Sequence, residues 1–246
     1  MITLSNVSKK FTFYSKGRSL LSRAVTGAMR KKKAPEIICA LNDINIDIKK
    51  GEIVGLIGAN GSGKSTLLKI ISGIYKPTTG AIRISGDITA LLQSGDIFSP
   101  DLSVRDNIFL YGAIMGLDRK DVRKRLKKII DFAGVGDFVD SEARILSLGM
   151  EERLAFSIVI QASRDILLFD EIFATGDRNF TSEGFKVIEE FKKMKKTIVI
   201  SSHDLDIVRR LCDRVILLDK GRVAAFEHTG AAIDKYISLV KDSRRE

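Results

Sequence analysis

The stretch from Glu52 to Ile71, EIVGLIGANGSGKSTLLKII, leaves this chain few folds to choose from. It opens on a β-type apolar run of Ile53, Val54, Leu56 and Ile57 and closes on a helical pattern from Ser65 onward. Between them, Gly58-Ala59-Asn60-Gly61-Ser62-Gly63-Lys64-Ser65 fits the phosphate-binding pattern GxxxxGK[ST] at every fixed position. Each residue type has a mechanical reason. Glycines let the backbone turn tightly and bring its N–H groups within bonding distance of phosphate oxygens. A helix beginning near Lys64 aims its free N–H groups and positive dipole end at the same anion. Lys64 is expected to reach the β- and γ-phosphates, and the Ser65 hydroxyl to ligate Mg²⁺. A glycine-rich turn with a surface lysine would not need strand, loop and helix in this register. The segment implies a nucleoside triphosphate ligand.

The 246 residues suffice for one large α/β domain or a domain with an inserted subdomain, and 44% apolar content supplies an ordinary core. No apolar run reaches the ~20 residues of a membrane-spanning helix, and MITLSNVSKKF lacks the apolar region of a secretory signal, so a cytoplasmic location is expected. Cys39 and Cys212 have no metal-ligand spacing and apolar neighbours, and both are expected to be buried and reduced. The net charge of +10 points to an anionic partner without choosing among nucleotide, nucleic acid and membrane headgroups.

Residues 2–14 read as a strand followed by aromatics, of which Phe11, Phe13 or Tyr14 either stack on a flat base or lid the core. Lys16 to Lys33 carries seven basic residues and no acidic one, with Leu20, Leu21, Ala24, Val25, Ala28 and Met29 on one helical stripe. Ile44, Ile46 and Ile48 alternate as a strand that turns at Lys50-Gly51 into the phosphate-loop strand. Pro77-Thr78-Thr79-Gly80 reads as a turn, then Ala81–Ser85 and Ile88–Gln93 as strands separated by Gly86-Asp87. From about residue 99 to 161 the pattern becomes helical, with Ser103 and Asp118 as caps and Gly134 as a stop. The basic residues between Arg119 and Lys128 read as a solvated helix face. Strands and helices then alternate again: Ile166–Phe169, helical Phe185–Met194, Thr197–Ser201, helical Leu205–Cys212, a hairpin about Lys220-Gly221, and a short helix Ile233–Val240. Such alternation argues for a largely parallel sheet covered on both faces.

Three further features belong with the phosphate loop. An apolar strand ending in Asp170-Glu171 supplies a Mg²⁺ ligand, Asp170, and a carboxylate, Glu171, that orients and polarises the attacking water. His203 follows TIVISS directly, at a strand's carboxyl end, where open α/β sheets bind ligands; a structural histidine is the competing reading. Ser147-Leu148-Gly149 feeds a helix expected over Glu151–Ser163 and forms a second candidate anion site, although an ordinary helix cap looks the same.

The order phosphate loop, Gln93, Ser-x-Gly helix start, apolar-Asp-Glu, Gly176-Asp177, His203 resembles the ATP-binding-cassette ATPases along essentially the whole chain. Leu146–Met150 stands where that superfamily has LSGGQ, with Leu148 and Met150 in place of Gly and Gln. LLQSGDIF, NIFLYGAIMGL, LSLGMEERLAFSI, DEIFATGDRNF and SSHDLDIVRRLCDRVILLDKGRV, with the basic insert after FTFY, are most similar to the nucleotide-binding subunits of bacterial polysaccharide exporters. These move lipid-linked O-antigen, capsule or teichoic-acid chains. Gln93 departs from many exporter members, which have Glu there.

The resemblance implies an α/β P-loop NTPase cassette with a mostly parallel sheet core, N-terminal antiparallel strands and an inserted helical subdomain. Residues 1–246 would form one such domain, with a basic insert at about 15–35. It implies ATP hydrolysis with ATP and Mg²⁺, with Glu171 and His203 catalytic. Nucleotide contacts fall to Phe11, Tyr14, Gly58, Asn60, Gly61, Ser62, Gly63, Lys64, Ser65, Thr66, Gln93, Ser147, Gly149 and Asp177, and metal contacts to Ser65, Gln93 and Asp170. Two copies would sandwich ATP head to tail and drive a polytopic permease from the cytoplasmic face of the cell membrane. The basic insert would face lipid-linked polysaccharide. Competing readings are a cassette for another cargo and a nucleic-acid-associated cassette. The latter usually carries two cassettes or a long coiled coil, so no nucleic acid is expected.

Overall fold

The computed structural model describes residues 1–13, 35–92, 97–172 and 178–242. The basic segment from Lys16 to Lys33, with Tyr14, Gln93 and Asp177, lies outside them. Two sheets organise the fold. The first is antiparallel, with β1 (Ile2–Phe13) between β2 (Glu36–Ile48) and β4 (Thr79–Ile84). The second has six strands in the order β5-β6-β7-β3-β8-β9, from β3 (Ile53–Ile57), β5 (Ile88–Leu91), β6 (Ile166–Asp170), β7 (Thr197–Ser201), β8 (Arg214–Asp219) and β9 (Arg222–His228). All its pairings are parallel except β8 with β9, which form a hairpin.

The central strands are apolar at successive positions because both of their faces are covered. In β3, Val54 and Leu56 pack with Leu67, Leu68, Ile70 and Ile71 of α1 (Lys64–Ile71) and with Ile2, Leu4, Ile44 and Ile46 of the antiparallel sheet. Ile53 and Ile57 face the opposite layer, which takes in the helices of the second half. α1 is thus held between two sheets, and the loop at its N-terminus inherits that rigidity.

The helical segment contains α2 (Val104–Ile114), α3 (Arg119–Ala133) and α4 (Leu148–Gln161). Ser103 caps α2 by accepting from the Asp106 amide, and Asp118 caps α3 by accepting from the Asp121 amide. Gly134 ends α3 at φ 67, a left-handed conformation that favours glycine. The α3 basic residues Arg119, Lys120, Arg123, Lys124, Lys127 and Lys128 are exposed, while Arg125 turns inward and donates to the Gln161 carbonyl. Then come α5 (Arg178–Lys193), α6 (Leu205–Leu211) and α7 (Thr229–Asp242). No helix among the described residues is long and apolar enough to cross a membrane.

Five sequence expectations need correction, the simplest being the last helix, which begins at Thr229 rather than Ile233. Cys39 is exposed, because β2 runs on with β1 beyond the part of the sheet that α1 covers, and Cys39 pairs there with Lys10. Thr79-Gly80 begins β4 rather than sitting in a turn, since Thr79 pairs with Ser8. α4 starts at Leu148 rather than Glu151, because Ser147 is its cap. α5 starts at Arg178 rather than Phe185; Phe180, 4% exposed, anchors a first turn that is otherwise polar.

Candidate functional site

β6, β7 and β3 are neighbours, so the segments leaving their carboxyl ends meet along one edge of the sheet. Asp170 pairs with Ser201 in β7, and Ser201 pairs with Leu56 in β3, which places Asp170 and the start of the phosphate loop at one level. Strand alternation fixes the direction of each side chain. Ile166 and Leu168 pack on the α1 layer, so Asp170 shares their face and looks toward the helix that carries Ser65.

The loop is strongly bent. Gly58, Gly61 and Gly63 have φ of 149, 77 and 108, values that side chains other than glycine rarely adopt. Among the described residues, the backbone N–H groups of Gly61, Gly63, Lys64 and Ser65 donate no hydrogen bond, which leaves a row of donors at the start of α1. The Lys64 ammonium is buried and crosses the loop, donating to the carbonyls of Gly58 at 2.8 Å and Ala59 at 3.2 Å. Asn60 and Ser65 are exposed and Thr66 is half-buried in the first helical turn. Two buried side-chain oxygens among the described residues lack a partner, Ser62 Oγ and Ser201 Oγ, and both belong to this edge. Unpartnered donors around a buried ammonium suit a polyanion.

Glu171 has φ 55, a left-handed conformation that costs a non-glycine residue about 1–3 kcal/mol. Its amide donates to the Ser201 carbonyl at 2.9 Å, which holds the strained turn in place. The turn brings Oε2 to 2.5 Å from Nδ1 of His203. With the carboxylate ionised, Nδ1 is the donor, because a carboxylate only accepts. His203 is held from both sides. Ser202 is buried and accepts from the Asp204 amide at 3.0 Å, and Asp204 caps α6 by accepting from Asp206 and Ile207. A cavity of about 50 Å³ lies against Asp170 and Glu171, walled by Leu91, Phe156, Ile172 and Phe180.

The Asp170 carboxylate is 6% exposed and makes no hydrogen bond or ion pair among the described residues. A buried, unpaired carboxylate is costly unless a cation balances it. Among the described residues, no group of three or more His, Cys, Asp or Glu side chains forms a metal cage. One carboxylate with one hydroxyl, Ser65, matches the sparse protein share of a Mg²⁺ site completed by phosphates and water. The residues present therefore fit Mg²⁺.

Other expected residues fall elsewhere. Phe11 packs edge-on against Tyr75, with ring centroids 5.5 Å apart and Lys9 over both rings, so it lids the α1 end of the core. Ser147 is exposed and its hydroxyl accepts from the Met150 amide at 3.3 Å, while Gly149 lies in the first turn of α4. Among the described residues, neither is hydrogen-bonded to the phosphate loop. Sequence reading missed Ser201, whose only signal was a polar residue ending an apolar strand level with Asp170.

The family pattern described as "ABC transporter" matches residues 41–174, which spans the loop, the helical segment and the Asp-Glu strand end. The chain belongs to the ABC transporter family. It therefore carries the ATP-binding ATPase domain of such transporters. It is 37% identical over 241 residues to the O-antigen export system ATP-binding protein RfbB of Klebsiella pneumoniae, covering 96% of this chain and 97% of that one. To the protein of the same name from Myxococcus xanthus it is 45% identical over 210 residues, 85% of this chain, and it spans only about half (48%) of that relative's length. A dimeric ATP-binding cassette in a post-hydrolysis state, bound to ADP and Pi, superposes with a TM-score of 0.75 at 25% identity, covering 93% of this chain and 99% of that one.

Proposed function

We propose that this ABC transporter chain is the ATP-hydrolysing subunit of an exporter for a lipid-linked polysaccharide. Residues 1–246 would act as one cassette at the cytoplasmic face of the cell membrane, paired with a second copy and with a polytopic permease. The observation that carries hydrolysis is the 2.5 Å contact between Glu171 and His203 at neighbouring strand ends beside the phosphate loop. The cargo is supported by the O-antigen export relative that matches along nearly its full length.

In this reading the amides of Gly61, Gly63, Lys64 and Ser65 and the Lys64 ammonium bind the phosphates. Asp170 and Ser65 would hold Mg²⁺, which would supply positive charge against the phosphate oxygens. Glu171 orients the attacking water and accepts its proton. His203 holds the Glu171 carboxylate in place through Nδ1. Ser147 and Gly149 complete the site from the second copy, and Tyr14, Gln93 and Asp177 keep the nucleotide and metal roles that the family resemblance gives them. The basic segment would lie on the membrane side, where each Lys or Arg near an anionic surface contributes about 1 kcal/mol.

The test uses cells whose own gene for this chain is placed under repressible control. Repression should abolish surface polysaccharide and leave lipid-linked chains at the inner face, with recovery by the wild type and none by Glu171→Gln. Normal surface polysaccharide after depletion would assign the chain another cargo. Replacing Arg18, Arg23, Arg30 and Lys31 by Glu should reduce export while basal ATP hydrolysis persists; unchanged export would remove the segment from the transport path.

A further inference from the structure

Behind the phosphate loop, three backbones meet at separations that no added side chain can enter. The β8–β9 hairpin turns through Lys220 at φ 44 and Gly221 at φ 77, the paired positive values of a tight two-residue hairpin turn. The Gly221 amide donates to the Ser62 carbonyl at 3.0 Å, and the Gly221 carbonyl accepts from the Asn42 amide at 2.7 Å. One residue thus bonds the phosphate loop on one side and β2 on the other. A Cβ at position 221 would stand 2.8 Å from the Ala40 carbonyl oxygen. One at Gly63 would meet that same oxygen at 2.8 Å and the Leu41 side chain at 2.7 Å. One at Gly58 would come to 2.2 Å from the Leu218 carbonyl oxygen, at the end of β8. Turn, strand and loop interlock through main-chain atoms, which cannot give way as a flexible side chain can.

The bond to Ser62 acts on the opposite side of the loop. In a trans peptide the C=O and the following N–H point in opposite directions. Holding the Ser62 carbonyl on Gly221 therefore turns the Gly63 N–H away from the hairpin, and that N–H donates no hydrogen bond among the described residues. If the peptide were free to rotate, this donor would be lost to a phosphate, and Lys64, next along the chain, would shift with it.

We propose that Gly221 is a positioning residue for the phosphate loop: the hairpin turn fixes the Ser62–Gly63 peptide so that the Gly63 N–H is presented to a nucleotide phosphate. This role presupposes that the loop binds nucleotide, as proposed above. It extends the site to a hairpin that no phosphate-binding pattern includes, and it gives the antiparallel sheet, through Asn42, a direct mechanical link to the loop.

Gly73 supplies a matched control, with φ 80 and nothing within 4 Å of an added Cβ. Gly73→Ala and Gly221→Ala incur similar backbone strain, but only the second presses the hairpin turn against the Ala40 backbone of β2 and so disturbs its bond to the Ser62 carbonyl. The experiment measures affinity for a fluorescent ADP analogue, KM and kcat for ATP, and thermal stability without nucleotide, for the full chain and both variants. Gly221→Ala should weaken ADP binding and raise KM by about tenfold, or 1.4 kcal/mol, with a smaller change in kcat. Gly73→Ala should lower the melting temperature by its backbone strain alone, hence less than Gly221→Ala, and keep affinity within about twofold of wild type. If Gly221→Ala does not fold, Gly221→Asn serves instead, because Asn tolerates left-handed backbone better while still adding the Cβ. Equal affinity in the Gly221 variant and Gly73→Ala would overturn the positioning role. Failure of the wild-type chain to bind nucleotide would overturn the loop assignment itself, and this role with it.

Discussion

Glu171 shows why single residues in this site sit where they do. Its left-handed backbone is unfavourable, yet the amide bond to Ser201 and the contact with His203 both depend on it. Lys64 is similarly committed, as a buried ammonium whose partners are the carbonyls of its own loop. Lys64→Ala should weaken ATP affinity by at least about tenfold, because charge-assisted bonds to phosphate are roughly twice as strong as neutral ones; titration with a fluorescent ATP analogue checks this, and unchanged affinity would remove Lys64 from the phosphate site. The cysteines give a second test at this scale. Burial, and secondarily the Asp213 charge, push the Cys212 thiol up to about 12, whereas Cys39 is exposed. A thiol reagent at mildly alkaline pH should modify one cysteine of the native chain and both after denaturation. Prompt labelling of both native thiols would show that Cys212 is not buried.

Elements with local signals were legible in the sequence. Ser103, Asp118 and Gly134 mark helix ends that the structure reproduces, because a cap is a contact between residues three or four apart. The partition of strands was not legible. β4 and β5 follow one another closely, yet Ile84 pairs with Ile2 and Ile88 pairs with Ile166, in different sheets. Pairing over such distances leaves no local trace. The same reason hid Ser201 and the bond from Gly221 to Ser62, whereas the phosphate loop and Asp170-Glu171 were readable as short patterns. The start of α5 was missed because residues between Arg178 and Gly184 carry one core anchor and a glycine, and packing of Phe180 outweighs their weak helical preference. Packing also hinges on Asn107, 1% exposed, which donates to the carbonyls of Ser99, Leu102 and Ser103 and accepts from the Ser99 amide. Asn107→Leu should destabilise the chain by about 2–3 kcal/mol, since it strands these buried groups. Urea denaturation provides the measurement, and a loss below about 0.5 kcal/mol would show that water replaces the amide.

At the scale of the whole molecule, one chain brings the phosphate loop, Asp170, Glu171 and His203 to one sheet edge, while Ser147 stands at the start of α4 in the helical segment. The Ser147 hydroxyl is spent on capping α4, and among the described residues no hydrogen bond joins it to the loop. The proposed second copy, arranged head to tail, would bring its Ser147 to the loop, and a solved cassette of similar fold is dimeric. Ser147→Arg and Lys64→Ala should each be inactive alone, while mixing them should restore about a quarter to a half of wild-type hydrolysis through one intact composite site. No activity in verified mixed dimers would argue for sites contained within single chains.

The most direct measurement combines turnover and mass in Glu171→Gln. This substitution keeps the phosphate loop, Lys64 and Asp170 intact while removing the carboxylate that orients water. Light scattering during size-exclusion chromatography, run with and without Mg²⁺ and ATP, reads assembly, and phosphate release reads chemistry. The variant should bind ATP, lose at least about a hundredfold in kcat, and shift from monomer to dimer when ATP is added, as expected when a general base is removed and the ATP-bound state can no longer decay. Turnover within about twofold of wild type, or a monomer at saturating ATP, would contradict the account.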